Sequence, residues 1–205
     1  MSKLKRFVRD QRYGEPVVIV SGLPRSGTSM MMKMLEAGGL SIMTDGERRA
    51  DVDNPKGYFE YERVKDLEKE TDTSYVQQGR GKVLKVISFL LRFLPDDNQY
   101  RVIFMRRDLD EVLASQDKMI AHRKSEDATD PEALKEQYRN DIIRARLMCR
   151  KKANFEYLEV QHRDTIERPA ETADAVNVFL GGVLDEVAAA GVVDPALYRN
   201  RADQK

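Results

Sequence analysis

Tryptophan is absent from this 205-residue chain, and cysteine occurs once, at Cys149. A single cysteine cannot form an internal disulfide, so a disulfide-stapled extracellular domain is excluded and a reducing cytoplasm is the expected location. No apolar run approaches the roughly 20 residues that cross a bilayer. The charged start, "MSKLKRFVRDQRYGEP", also lacks the apolar core of an export signal. We therefore expect a cytoplasmic protein with no membrane partner.

A surplus of either charge sign is missing as well. Lys+Arg and Asp+Glu both number 35, so the formal net charge is zero and gives no global sign of a nucleic-acid partner. A net charge of zero is still compatible with a local cleft lined by basic residues. The only two histidines are His122 and His162, and no cluster of His, Cys, Asp and Glu has metal-ligand spacing. We therefore predict no metal site.

Short apolar strands that alternate with helices are what the sequence does contain. The predicted strands read "PVVIV", "KVLKVIS", "YRVIFM" and "FEYLEV", with "LSIM" as a shorter one. Runs that are apolar throughout are typical of strands buried on both faces of a parallel sheet. The alternation predicts an α/β fold, a three-layer sandwich with a central parallel sheet. No repeat or composition break divides the chain, so we expect one domain over 1–205.

Helical periodicity and capping residues predict the other layers. The first predicted helix follows strand one and ends at "AGGL", and one starts at Asp130-Pro131 and runs to about Lys152. Three more read "YFEYERVKDLEKE", "RRDLDEVLASQDKMIAH" and "RPAETADAVNVFLGG". The stretch "TDGERRADVDNPKG" is a predicted surface loop, and the tail "DPALYRNRADQK" is predicted to be irregular.

The junction "VVIVSGLPRSGTSMMMKML" carries the strongest chemical signal. A Gly-rich turn that opens into a helix points backbone N–H groups at one spot, where the helix dipole adds positive charge. Gly22 and Gly27 permit the tight backbone, and Thr28 and Ser29 offer hydroxyl donors. The pattern predicts a site for a phosphate-like anion. The alternative is an ordinary strand-to-helix turn capped by Ser26 or Thr28.

Thr28 stands where the standard phosphate loop has lysine, and a Pro-Arg pair lies inside the loop instead. Nucleoside triphosphate enzymes need that lysine, and they need an acid on a neighbouring strand to hold magnesium. Neither "KVLKVIS" nor "YRVIFM" ends in such an acid. A group with less charge requires fewer cations, and a sulfuryl group carries about one negative charge where a terminal phosphoryl carries about two.

A second signal lies in "RVIFMRRDLDEVLASQ". Arg107 ends a predicted strand, and Ser115 follows eight residues later, about 100° round the helix from its apolar stripe. The two side chains could converge on a second phosphate. The alternative is that Arg107 pairs with Asp110 or Glu111.

Together the two motifs resemble the sulfotransferase family. Its phosphosulfate loop typically reads Pro-Arg/Lys-Ser-Gly-Thr-Thr/Ser, which is similar to Pro24, Arg25, Ser26, Gly27, Thr28 and Ser29. Its second motif reads Arg-x-Pro-x-Asp-x-x-x-Ser and resembles the segment from Arg107 to Ser115, with Leu109 in place of the proline. The segments "KVLKVISFLLRFLP" and "FEYLEVQHRDTIERPAETADAVNVFLG" resemble further parts of the family, so that the similarity covers most of residues 16–182.

The resemblance implies a P-loop NTPase-like fold and a sulfuryl donor, 3′-phosphoadenosine 5′-phosphosulfate, with 3′-phosphoadenosine 5′-phosphate as the product and no metal. The acceptor would be a hydroxyl or amine of a small molecule or glycan. Donor binding falls to the loop from Pro24 to Ser29, together with Arg107 and Ser115. Arg25 would also stabilise the transferred group, which is preorganised electrostatic catalysis.

The general base is where the chain departs from the family. Many members have a histidine shortly after a lysine; here Lys85 is present, but Ile87 and Ser88 occupy the place of that histidine. Lys85 would either contact the sulfuryl group or be a solvated charge at the strand end. Other members use glutamate, for which Glu60 is the first candidate and Glu62 the second.

The turn at Pro55 and Gly57 could aim Glu60 into the cleft; alternatively Glu60 only favours a helix N-terminus. His122 is a minor catalytic candidate beside the segment "RKSEDATDPEA", and His162 is expected at the end of the last strand.

Two other functions are open at this point. One is a nucleotide-binding homologue without catalysis, and a less favoured one is a P-loop kinase. The chain is also short for a sulfotransferase. Its acceptor site would be smaller, more open, or completed by a second copy in a homodimer.

Overall fold

Four parallel strands form the central sheet. The computed structural model describes residues 12–45, 59–123, 130–194 and 196, with the backbone alone for 117–123. The strands are β1 (Val17–Gly22), β2 (Val83–Lys85), β3 (Tyr100–Arg106) and β4 (Phe155–Gln161), in the spatial order β2-β1-β3-β4. Every pairing is parallel. All four carboxyl ends therefore lie on one edge, where ligands bind in such sheets.

Helices cover both faces of the sheet. The α-helices are α1 (Thr28–Ala37), α2 (Leu109–Arg123), α3 (Pro131–Lys151), α4 (His162–Glu167), α5 (Pro169–Leu180) and α6 (Glu186–Gly191). Three 3₁₀ helices cover Glu62–Asp66, Ser74–Gly79 and Ser88–Phe93. The predicted caps are confirmed for two of them: Asp130 accepts a hydrogen bond from the Glu132 N–H at 3.1 Å before α3, and Gly181 ends α5 at φ 95°.

Alternate residues of each central strand enter two separate cores. Ile19 and Phe104 pack under α3 with Cys149, whereas Val20 and Met105 pack under α1 and α5. All six residues of β1 are buried, which explains why its first four, Val17 to Val20, are apolar. The predicted α/β sandwich with a central parallel sheet is confirmed.

Three predicted elements differ from the structure. "KVLKVIS" is a strand only over Val83–Lys85, because the chain turns into a 3₁₀ helix at Ser88. "LSIM" contributes a single bridge, from Ile42 to Val83. "YFEYERVKDLEKE" forms a 3₁₀ helix over Glu62–Asp66 where a longer helix is predicted.

The spacing of apolar residues explains that last difference. Tyr61, Val64 and Leu67 recur at every third residue, and all three pack into the same core. A repeat of three matches the 3.0 residues per turn of a 3₁₀ helix and not the 3.6 of an α-helix. The short helices α4 and α6 were not predicted. Among the described residues, no helix combines the length and the apolar character that a membrane crossing requires.

Candidate anion-binding site

The loop between β1 and α1 has a backbone that is tightly constrained by its neighbours. Gly27 has φ 96° and Arg25 has φ 67°, both in the left-handed region. A Cβ on Gly22 would lie 2.7 Å from the Met105 carbonyl oxygen and would also collide with the Ser26 hydroxyl. Glycine is therefore required at Gly22 for close approach and favoured at Gly27 by its dihedral angles.

Ser26 has a buried hydroxyl without a partner among the described residues, and no side chain caps the start of α1. Ser26 is fully buried, and its Oγ has no hydrogen-bond partner among the described residues. Gly27 is the N-cap of α1 and no side chain caps that helix, so the alternative of a turn capped by Ser26 or Thr28 is wrong. Buried polar atoms are usually paired. An unpaired hydroxyl beside an uncapped helix N-terminus is what an anion site requires.

The two sequence motifs meet in space. Arg25 Nε donates a hydrogen bond to Ser115 Oγ at 3.0 Å, across 90 residues of sequence. Ser115 is 5% exposed although it lies off the apolar stripe of α2, since it faces the loop. The loop arginine and the helix serine therefore belong to one polar cluster.

Arg107 holds the loop from the end of β3. Its Nη1 donates to the Arg25 carbonyl oxygen at 3.1 Å, and its Nε pairs with Glu111 Oε2 at 2.9 Å. Both members of the ion pair are nearly buried, at 9% and 5% side-chain exposure. Of the two pairings left open by the sequence, the structure has Glu111, while Asp110 pairs with Lys135 at 2.6 Å. Arg107 thus holds the carbonyl group of Arg25, the loop residue whose φ is 67°.

Lys85 brings a cation to the loop from β2. Its Nζ lies 3.3 Å from Ser29 Oγ and 3.5 Å from Glu60 Oε1, and its side chain is only 9% exposed. The alternative of a solvated strand-end charge is therefore wrong. In space, Lys85 places an ammonium group beside the loop that has Thr28 in the usual lysine slot.

Glu60 faces the same cluster through two ion pairs. Besides Lys85, its Oε2 pairs with Lys65 at 2.9 Å, and its side chain is 15% exposed. Lys65 also pairs with Glu62 at 2.6 Å. The turn at Pro55 and Gly57 lies outside the described residues, so its aiming role stays a prediction.

His162 belongs to the site although the sequence placed it only at a strand end. It is the first residue of α4, and a Cβ on Gly27 would lie 2.5 Å from its Cδ2. Burial, with Arg107 as a further cause, lowers the pKa of His162 to about 4. The available signal was its position after β4, at the carboxyl edge. The side chain of His122 lies outside the described residues.

Asp141 is hydrogen-bonded to a residue that lies shortly after β2. Ser88 is 2% exposed and donates its hydroxyl proton to Asp141 Oδ2 on α3. One turn earlier, Tyr138 donates to Gln116 Oε1 at 2.6 Å. Helix α3 is therefore joined by side-chain hydrogen bonds to α2 and to the segment after β2. The described residues contain no group of three or more His, Cys, Asp or Glu side chains that could hold a metal ion.

Comparisons with known proteins give similar structures but no similar sequence. No protein-family model matches the chain, and no curated protein matches it. A sulfotransferase from Alicyclobacillus acidocaldarius is 11% identical with a TM-score of 0.49, over 82% of this chain and 81% of that one.

The sulfotransferase domain from the Curacin biosynthetic pathway is 11% identical with a TM-score of 0.46, over 90% and 89%. A sugar kinase from Janibacter sp. is 10% identical with a TM-score of 0.40, over 89% and 98%. Likenesses of this degree identify neither a family nor an activity.

Proposed function

We propose that the chain is a sulfotransferase that uses 3′-phosphoadenosine 5′-phosphosulfate. The observation that carries the proposal is the 3.0 Å hydrogen bond between Arg25 and Ser115, because it joins the two anion motifs that the sequence separates. An accidental match of either motif would not require the two to meet. Arg107 supports the same reading, since it bonds the loop at the Arg25 carbonyl.

The residues present fit the donor. The buried Ser26 hydroxyl without a partner, the uncapped start of α1 and the glycines of the loop suit the 5′-phosphosulfate. Arg107 and Ser115, across the loop, would hold the 3′-phosphate, and Ser115 becomes available when Arg25 turns to the donor. When bound, the donor supplies an activated sulfuryl group.

Cations on two sides of the loop would stabilise charge during transfer. Arg25 lies on the side of β3 and Lys85 on the side of β2, at Ser29. Once Arg25 and Lys85 have turned to the bound donor, their positive charges are in place before charge develops in the transfer, which is the basis of electrostatic catalysis. The loop N–H groups add to this field without any metal.

Glu60 would take the acceptor's proton. In that step the acceptor O–H or N–H bond would break, its proton would pass to a Glu60 oxygen, and the acceptor atom would bond to sulfur. The bond from sulfur to the bridging oxygen of the 5′-phosphosulfate would break at the same time, so that 3′-phosphoadenosine 5′-phosphate leaves with the electron pair. The ion pairs with Lys85 and Lys65 hold the carboxylate at the cleft, 3.5 Å and 2.9 Å from the two ammonium groups. Lys85 must turn from Glu60 to the transferred group, which frees Oε1 to accept the proton.

A nucleotide-binding homologue without catalysis is the second candidate. The observation that favours it is that both Glu60 oxygens are engaged by ammonium groups, because nearby cations favour the ionised form of a carboxylate and make it a weaker base. A P-loop kinase is less favoured, since Thr28 stands in the lysine slot.

Ligand-dependent melting tests the proposal directly. We expect 3′-phosphoadenosine 5′-phosphate to raise the melting temperature more than adenosine 5′-monophosphate or ATP with magnesium. A ligand at 100 times its dissociation constant adds about 2.7 kcal/mol of stability. A larger shift with ATP and magnesium would favour the kinase. Turnover of labelled donor with hydroxylated and amino acceptors then separates the enzyme from the silent homologue.

A further inference from the structure

A histidine just after the last strand packs against the loop between β1 and α1, here called the anion loop, and nothing in the two sequence motifs accounts for it. His162 starts α4 at the carboxyl end of β4, two strands away from β1. Its imidazole nevertheless fills the space beside the Cα of Gly27, where a Cβ would lie 2.5 Å from Cδ2. The ring is 7% exposed. The loop therefore rests against a buried titratable group.

We propose that His162 is a positioning residue of the anion loop, uncharged in the empty site and protonated when a phosphate- or sulfate-bearing ligand binds. The inference rests on the proposed function, since it requires the loop to hold an anion. Ligand binding would then be accompanied by the uptake of one proton, and His162 would be a further residue of the site.

The charges around the ring explain the switch. The described charged groups that act on His162 are Arg107, which disfavours the imidazolium ion, and Glu111, which favours it. These two are also paired with each other at 2.9 Å. The neighbouring charges on its own helix are turned to other partners, Arg163 to Glu167 and Asp164 to Arg168. The charge state of the His162 ring therefore depends on the Arg107–Glu111 pair, whose arginine also bonds the loop at the Arg25 carbonyl oxygen.

An incoming anion changes that balance in one direction. Its negative charge counters Arg107 and adds attraction for the imidazolium ion, so the protonated form becomes favourable. A proton taken up on binding makes affinity rise as pH falls, by about tenfold per pH unit at most. The same contact explains why Gly27 cannot carry a side chain.

Nuclear magnetic resonance of the imidazole signals tests this in the intact chain. With only two histidines, His122→Gln and His162→Gln assign both rings. Titration is followed without ligand, with inorganic sulfate, whose charge is constant from about pH 5 to 8, and with 3′-phosphoadenosine 5′-phosphate. We expect the midpoint of His162 to move upward by one pH unit or more with either ligand, while that of His122 stays unchanged.

Calorimetry in two buffers of different ionisation enthalpy gives the proton count. The ligand's own protonation is the same for both proteins, so we expect the wild type to take up more protons than His162→Gln near pH 6. The His122→Gln variant should match the wild type. A His162 midpoint that stays in place, or equal proton uptake in all three proteins, overturns the inference and leaves the anion site standing. Failure of both ligands to bind overturns the inference together with the proposed function.

Discussion

Arg25 and Ser115 are joined by a 3.0 Å hydrogen bond although 90 residues separate them in the chain. The guanidinium of the loop between β1 and α1 thus reaches the hydroxyl of the second motif. In this bond the Arg25 guanidinium and the Ser115 hydroxyl contact each other, although in the proposed function each of them would contact the bound ligand. The consequences can be tested on either side of the bond.

Ser115→Ala should reduce the discrimination between nucleotides with and without a 3′-phosphate. The hydroxyl is the proposed 3′-phosphate donor, and a hydrogen bond to a charged group contributes about 1.5–3 kcal/mol. We expect the melting shift given by 3′-phosphoadenosine 5′-phosphate to fall towards that given by adenosine 5′-monophosphate. Ser41→Ala, at an exposed serine, is the matched control. Unchanged discrimination in Ser115→Ala would remove Ser115 from the ligand site.

Arg25→Gly should lower turnover far more than nucleotide affinity. Glycine accepts the φ of 67° found at Arg25, so this variant removes the side chain with little change in the loop backbone. A contact that strengthens in the transition state affects turnover first. The comparison of Arg25→Gly with Arg25→Lys measures how much of the effect is charge. A variant that binds weakly but turns over normally at saturation would make Arg25 only a tether.

Glu60→Gln should lower turnover by about 10²–10⁴-fold if Glu60 is the general base. The structure adds a second expectation, because the substitution releases Lys85 from its 3.5 Å ion pair beside Ser29. Nucleotide affinity should therefore rise or stay constant while turnover falls. The control is Glu62→Gln, which removes the other carboxylate at Lys65. If both variants keep full turnover, Glu60 is only an ion-pair partner of the two lysines, and neither carboxylate is the base.

Gly27→Ala should destabilise the fold and abolish nucleotide binding. Its Cβ would lie 2.5 Å from His162 Cδ2, and its φ is 96°. Gly39 offers a matched control, since its φ is 94° with nothing within 4 Å of a Cβ. Gly39→Ala should therefore lower the free energy of unfolding only by the cost of the left-handed backbone conformation, about 1 kcal/mol. The difference between the two free energies of unfolding, measured in urea, isolates the packing against His162. Equal losses would show that the contact has no energetic weight.

Stability without ligand should fall as pH drops from 6.5 towards about 4. The pKa of His162 is lowered in the folded chain to about 4 from 6.5, so the unfolded chain binds more protons in that window. Above the unfolded-state pKa of 6.5, His162 is neutral in both states and does not reduce the free energy of unfolding. Acidification towards pH 4 protonates His162 in the unfolded chain first, which lowers the free energy of unfolding by on the order of 3 kcal/mol for this shift. Urea unfolding at several pH values measures the slope. His162→Gln should flatten it, and an identical slope in that variant would contradict the assignment.

Local patterns were enough to predict the sheet and the loop. The fully apolar run "PVVIV" predicts a strand buried on both faces, "YRVIFM" predicts another strand, and the glycines of "SGLPRSGTS" predict a tight turn before a helix. Sequence patterns were less informative where the repeats of a 3₁₀ helix and an α-helix both fit the same residues. The spacing of Tyr61, Val64 and Leu67 suits a 3₁₀ helix, but the polar residues between them suit an α-helix equally well.

By itself the sequence determined where a Gly-rich turn follows a strand and where an arginine follows another strand, because both patterns are local along the chain. Only the tertiary structure decided their partners. Apolar runs of similar length do not encode their spatial order, and the order β2-β1-β3-β4 is what sets Lys85 on one side of the loop and Arg107 on the other. The same order brings His162, the first residue of α4 after β4, against Gly27, because the carboxyl ends of parallel strands share one edge.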